Sequence, residues 1–298
     1  MSLKPKKILV PIDFSETGML ALEHAAFMAR LMKADLHLLH VMPVSEYYFE
    51  IPEPIMRIEN HDAINKIVEQ KLNEAAEDVY KNYGIRPTSS SARGQVGQEV
   101  ITIVNEQLFD LVVMGTHGAK GFEELFIGSN AHKVVTLAPC PVLTVQTHAT
   151  HLGFKNIVLP IDRSQHSREK VDEAVDLASA YAAKIHIIGL LESSEAADYD
   201  KLQIVLDQVE NAVKKAGVPF SRNTIEGNNL AIEALKYGHQ VNSDLIVIMT
   251  DHESEMTGIF LGPKAKQIVN HSKIPVLSIK PLEGKYSGID MGGSYTAY

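Results

Sequence analysis

The chain has 298 residues, 45% of them hydrophobic and 22% charged, with a formal net charge of −9. That is the composition of a globular protein of about two domains, and the acid excess weighs against nucleic acid or an anionic membrane as partner. One cysteine rules out a disulfide within the chain, and neither a signal peptide nor an apolar run near the roughly 18 residues of a membrane span is found, so the expected location is cytoplasmic.

The elements read in chain order as alternating strands and helices. "KILVPI" is a short apolar run ending at Asp13, and Ser15 is a suitable N-cap for the helix that follows, with Met19, Leu22, Ala26 and Ala29 at helical spacing. "DLHLLHV" is the second strand. "NKIVEQKLNEAAEDVYKNYG" is a helix closed by Gly84 as its C′ residue. "TSSSAR", the helix "GQEVITIVNEQLF" and the strand "DLVVMG" follow. "GSNAHKVVTLAP" is a helix stopped by Pro139, and "PVLTVQ" is the fifth strand. The near-continuous apolar runs suit a parallel sheet covered on both faces. Cys140, between two prolines, reads as structural, since nothing beside it would activate a thiol.

The pattern then repeats. "KKILVPIDFSETG" returns as "KNIVLPIDRSQHS", and Asp13 maps to Asp162, 149 residues on. "CPVLTV" returns as "IPVLSI", and Pro141 maps to Pro275, 134 residues on. The second copy lacks the segment around "YYFEIPEPIMRIE", residues 47–59, which is either a lid or a surface excursion. The expected class is α/β: two tandem doubly wound domains, flavodoxin-like or adenine-nucleotide-hydrolase-like. Each would be a five-stranded parallel sheet with helices on both faces. The expected boundaries are 1–147 and 154–282, joined by "HATHLGF", with a disordered tail over 283–298. The strands "PVLTV" and "PVLSI" are candidate edges for pairing the two halves into an intramolecular pseudo-dimer, or for pairing two chains.

Ligands of an open α/β sheet sit beyond the carboxyl ends of its strands, at the switch point. Asp13 ends the first strand and Gly115 the fourth. Gly115 and Gly118 would permit a tight turn and close backbone approach, or be simple turn punctuation. Gly128 and Ser129 open the last helix, where free N–H groups and the helix dipole favour phosphate, and Ser129 and Asn130 add side-chain donors. Asp13 is read either as a partner for a base amino group or ribose hydroxyl, or as a strand-end cap.

On "ILVPIDFS" and "MGTHGAKGFEELFIGSNAHKVVTLAPCPVLTV" the chain resembles the universal stress protein family, in a tandem form covering about residues 5 to 281. The family's G-x2-G-x9-G-[ST] motif is matched by Gly115, Gly118, Gly128 and Ser129. The resemblance implies ATP as ligand, with Mg²⁺ held mainly by its phosphates. It implies nucleoside contact at Asp13, adenine contact with the backbone of Val41, and a base pocket lined by Pro11 and Met114. It also implies that the glycines and Ser129 hold ribose and phosphates. His117, between the glycines, is either a phosphate contact or a solvated turn residue.

The second copy departs from the motif. Met249 and His252 replace two glycines, Gly262 remains, Pro263 replaces Ser129, and Asp251 and Glu253 add negative charge. Proline removes one N–H from the helix start. The expectation is one nucleotide site, in the amino-terminal half.

Neither a nucleophile elbow, a P-loop nor paired metal ligands is found, so no catalytic residue and no metal site is assigned. His37 and His40 are three apart on one strand and should face opposite ways. The expected function is an ATP-binding stress-response or regulatory module with an unidentified protein partner. The alternatives are a slow ATPase or phosphotransferase, and a nucleotide-independent scaffold with a different ligand in its second half.

Overall fold

The computed structural model describes residues 3–43, 59–116, 127–192, 195–250 and 261–281. The 47–58 segment, His117, Gly118, Asp251, His252, Glu253 and the 283–298 tail lie outside the described residues.

The amino-terminal half runs β1 (Lys7–Pro11), α1 (Glu16–Met32), β2 (Asp35–Pro43), α2 (Glu59–Tyr83), β3 (Thr88–Gly94), α3 (Val96–Gln107), β4 (Leu111–Gly115), α4 (Ser129–Leu137) and β5 (Val142–Val145). The carboxyl-terminal half repeats this as β6 (Asn156–Ile161), a short 3-10 turn (Gln165–Arg168), α5 (Val171–Tyr181), β7 (Lys184–Leu191), α6 (Ala196–Lys215), β8 (Phe220–Glu226), α7 (Leu230–Gln240), β9 (Leu245–Met249), α8 (Pro263–His271) and β10 (Val276–Ile279). The signals read from sequence act as expected. Ser15 caps α1, its side chain accepting from the Gly18 amide, and Gly84 follows α2 at φ 73°, a conformation that glycine adopts without strain.

All ten strands form one sheet, ordered β3-β2-β1-β4-β5-β10-β9-β6-β7-β8. Within each half the strands are parallel. The halves join through the antiparallel pair β5–β10, so the strands singled out as pairing edges pair with each other. Leu143 lies opposite Leu277, its own counterpart in the repeat, which relates the halves by a local twofold through that pair. The order within the first half, 3-2-1-4-5, differs from the flavodoxin order 2-1-3-4-5, and it places β1 directly beside β4.

Alternate side chains of the sheet feed two cores. One gathers α1, α2, α5 and α6 through residues such as Leu22, Leu72, Leu177 and Leu206. The other gathers α3, α4, α7 and α8 through Val104, Val134, Ala234 and Ile268. The helices therefore cover both faces, which is why the strands read as unbroken apolar runs. Among the described residues, no helix is long and apolar enough to cross a membrane.

The same brace sets β1 against β4 and β6 against β9. The Asp110 carboxylate accepts from the amides of Lys6 and Lys7 at 2.8 and 2.9 Å. Asp244 accepts from the amides of Lys155 and Asn156 at 2.7 and 3.0 Å.

Candidate functional site

The switch point of the amino-terminal half lies between the carboxyl ends of β1 and β4. A chain of short contacts draws its edges together. The Ile12 amide donates to the Leu39 carbonyl at 2.8 Å, and His40 Nδ1–H donates to the Ile12 carbonyl at 2.8 Å. Beyond Ile12 the exposed Asp13 turns toward α1. Its Oδ1 accepts from the Ser15 amide at 3.0 Å and from the Ser15 hydroxyl at 2.5 Å. The Ser15 hydroxyl oxygen accepts from the Gly18 amide at 3.1 Å. Asp13 therefore organises the start of α1, one of the two roles read for it, and stays exposed at the crevice. Phe14, next in line, adopts φ 61°, a conformation that costs a bulky residue free energy and marks a constrained turn. Its ring packs on His40, with centroids 4.9 Å apart.

Gly115 is packed against α1. A Cβ there would meet the Thr17 methyl at 3.0 Å and the Thr17 carbonyl carbon at 3.1 Å. What this glycine visibly permits is the close approach of α1 to the end of β4, and through it the placing of Asp13 beside β4. Gly128 does face the α4 start. Its amide donates to the Thr116 carbonyl at 2.8 Å, and a Cβ on it would crowd that oxygen at 3.1 Å. As N-cap, Gly128 supplies no side-chain acceptor to α4. Ser129 and Asn130, the first two helical residues, are exposed. Asn130 Oδ1 accepts from the Gly97 amide at 3.3 Å, which turns its NH₂ away from α3.

The hydrophobic members divide differently. Val41 and Met114 are buried in the core shared by α3 and α4, while Pro11 ends β1 half-buried. The structure thus brings Pro11, Asp13, Val41, Met114, Gly115, Gly128, Ser129 and Asn130 to one end of the parallel sheet. His37 and His40 do face opposite sides of the sheet: the first against Phe109 at 5.7 Å, the second against Phe14. Cys140 is a free thiol that burial, foremost, and then Asp110 push up to about 12, which suits a structural role.

The matching place in the carboxyl-terminal half carries charged side chains that the first lacks. Asp162 Oδ1 accepts from the Ser164 amide and hydroxyl at 2.9 and 2.6 Å, as Asp13 does with Ser15. Burial opposes ionisation of Asp162, but the Ser164 hydroxyl and the Lys170 and Lys264 ammonium charges more than offset it and hold the carboxyl below its ordinary range. Lys170 is buried and donates to the Ser167 carbonyl at 2.9 Å. Lys264 stands in the place of Asn130 and pairs with Glu192 at 2.7 Å. Pro263 occupies the first position of α8, and Met249 is buried at the end of β9. The two lysines escaped the reading of the sequence. A lysine in the first turn of a helix opposes the helix dipole, and Lys264 carried that signal.

Comparisons with known proteins agree with this architecture. The sequence profile of the universal stress protein family matches residues 4–146 and 153–280. A universal stress protein of Bacillus subtilis is 31% identical over 145 residues, which is 47% of this chain and 98% of the relative. One from Methanocaldococcus jannaschii is 28% identical over 148 residues, or 47% of this chain and 82% of the relative. The crystal structure of a universal stress protein from Archaeoglobus fulgidus superposes with a TM-score of 0.71 at 18% identity, covering 94% of this chain and 97% of that one.

Proposed function

The chain belongs to the universal stress protein family, and we propose from that premise that its amino-terminal half binds ATP and that the protein acts as a cytoplasmic stress-response or regulatory module. Each half is then a domain, at 1–147 and 154–282. One observation carries this reading: the two halves share a fold, yet α4 starts on the exposed Ser129 and Asn130 where α8 starts on Pro263 and Lys264. Ser129 and Asn130 offer backbone and side-chain donors, the exposed first turn of α4 carries the positive end of its dipole, and such ends favour phosphate. Pro263 removes a donor from α8, and the Lys264–Glu192 pair with Asp162 uses local charge for itself.

Asp13 would receive the ribose or the adenine amino group through its carboxylate, and the backbone of Val41 would meet the base. His117 and Gly118, with Gly115, would complete the turn beside the phosphates. Mg²⁺ would travel with the phosphates, which supply most of its oxygen ligands. The described site contains no general base aimed at a γ-phosphate, so the reading is of a binder.

Calorimetric titration tests this. Wild-type protein binds ATP with a stoichiometry of one per chain. Asp13→Asn keeps the acceptor that orders Ser15 but halves the carboxylate's accepting capacity, so affinity falls by about tenfold, or ~1.4 kcal/mol, with little change in melting temperature. Asp162→Asn leaves ATP affinity within about twofold, a small fraction of 1 kcal/mol. A larger loss with Asp162→Asn than with Asp13→Asn would place the site in the other half. Single-turnover assays that recover intact ATP after hours support a binder over an ATPase.

A further inference from the structure

We infer that the carboxyl-terminal half completes the amino-terminal site, with Asn270 on α8 acting as a positioning residue for the first turn of α4. The inference rests on the reading of that turn as a phosphate site.

The geometry is local and specific. The Ile127 amide donates to Asn270 Oδ1 at 3.2 Å, across 143 residues of sequence and across the seam between the halves. The next amide, that of Gly128, donates to the Thr116 carbonyl at 2.8 Å. Two successive amides at the entrance to α4 are thus fixed by acceptors on opposite sides, one from β4 and one from α8. Gly128 has no side chain to cap the helix itself, so the direction of the first turn is set from outside it. With these two amides committed to the protein, the donors left to face a ligand are those of Ser129 and the residues after it.

The arrangement is not reciprocated. The counterpart of Asn270 in the first half is Thr136, whose hydroxyl donates back to the His132 carbonyl of its own helix at 2.8 Å. The support therefore runs from the half whose helix starts on Pro263 and Lys264 to the half whose helix starts on Ser129 and Asn130. Burial, foremost, and the Lys266 charge hold the His132 imidazole below its ordinary value.

A second observation points to a ligand at this seam. Gln146 is buried, and neither its Oε1 nor its Nε2 has a hydrogen-bond partner among the described residues. Along β5, Val142 joins the core beneath α4 and α8 while Leu143 and Val145 join the opposite one. Gln146 directly follows β5, and the same alternation carried one residue further would put it on the α4 and α8 face. It follows Val145, whose carbonyl accepts from the Thr116 amide at 3.0 Å, the same Thr116 whose carbonyl holds Gly128. A buried amide with no partner is costly and calls for one. A polyphosphate seated on the α4 start, with its bound water, would supply acceptors and donors there.

The test uses the full chain, with ATP and adenosine as probes, and calorimetry and thermal melting as readouts. Asn270→Ala removes the acceptor while leaving Asp13, Val41 and Met114 in place. The expected result is an approximately tenfold loss for ATP, an unchanged affinity for adenosine and a melting temperature close to wild type. Asn270→Asp restores an acceptor at the same atom but adds a negative charge, so ATP affinity should recover toward wild type at high salt and stay weak at low salt. Equal ATP binding by wild type and Asn270→Ala overturns the inference alone. Equal losses for ATP and adenosine also overturn it, since they would mark a general disturbance. Failure of the wild type to bind either ligand overturns the underlying reading of the site as well.

Discussion

At the scale of single residues, the glycines of the motif do different work. Gly115 is required by packing. A methyl group there would sit 3.1 Å from the Thr17 backbone, which would have to shift to make room. Gly115→Ala should cost about 1–3 kcal/mol by overpacking and lower the melting temperature by several degrees, measured without nucleotide. Charge at Asp162 gives a prediction with a defined pH window. Its folded pKa lies below the ordinary 3.8, so its contribution to stability is complete above that value and vanishes as pH falls through the folded pKa. The melting-temperature gap between wild type and Asp162→Asn should be constant from neutral pH down to about pH 5 and then close in stronger acid. A gap that widened on acidification would mean that the carboxyl is held neutral in the fold.

At the scale of elements, β1 and β4 are aligned by a side chain as well as by their ladder. Asp110 accepts from two successive amides at the β1 start. Asp110→Ala leaves both without the carboxylate, at a cost of about 1–3 kcal/mol, and hydrogen exchange at Lys6 and Lys7 should accelerate more than elsewhere in the sheet. The comparison of α4 with α8 shows how the same element is put to two uses. Both follow a glycine N-cap, Gly128 and Gly262, yet α8 begins on Pro263 and carries Lys264, while α4 begins on Ser129 and Asn130. Ser129, Asn130 and Pro263 were read from the sequence, and Lys264 was not. The ion pair from Lys264 to Glu192 was not legible there, because it joins the end of β7 to α8 across a long stretch of chain.

At the scale of the whole molecule, the halves are held by more than their linker. β5 pairs with β10 in the middle of the sheet. On one face, Phe154 stacks near Tyr181 and His24, with ring centroids 4.9 and 6.3 Å apart, and His24 Nε2–H donates to the Ala149 carbonyl at 2.7 Å. A protease site introduced at His151, which is exposed, should give two fragments that co-elute in gel filtration and separate only in denaturant. Separation under native conditions would show that the seam is weak and the linker essential.

The sequence by itself determined the duplicated α/β class, the caps of α1 and α2, and the asymmetry between the Gly128–Ser129 and Gly262–Pro263 helix starts. Each of these is written in local periodicity, turn chemistry or a missing N–H, and needs no knowledge of distant residues. The tertiary structure alone decided that the two sheets are one, that Gly115 packs on Thr17, that two lysines lie near Asp162, and that Asn270 reaches Ile127. These are contacts between residues far apart in the chain, whose pairing depends on which strand lies beside which and on which face each side chain emerges. Pattern reading supplies the pieces, and only the closed packing fixes which of them meet.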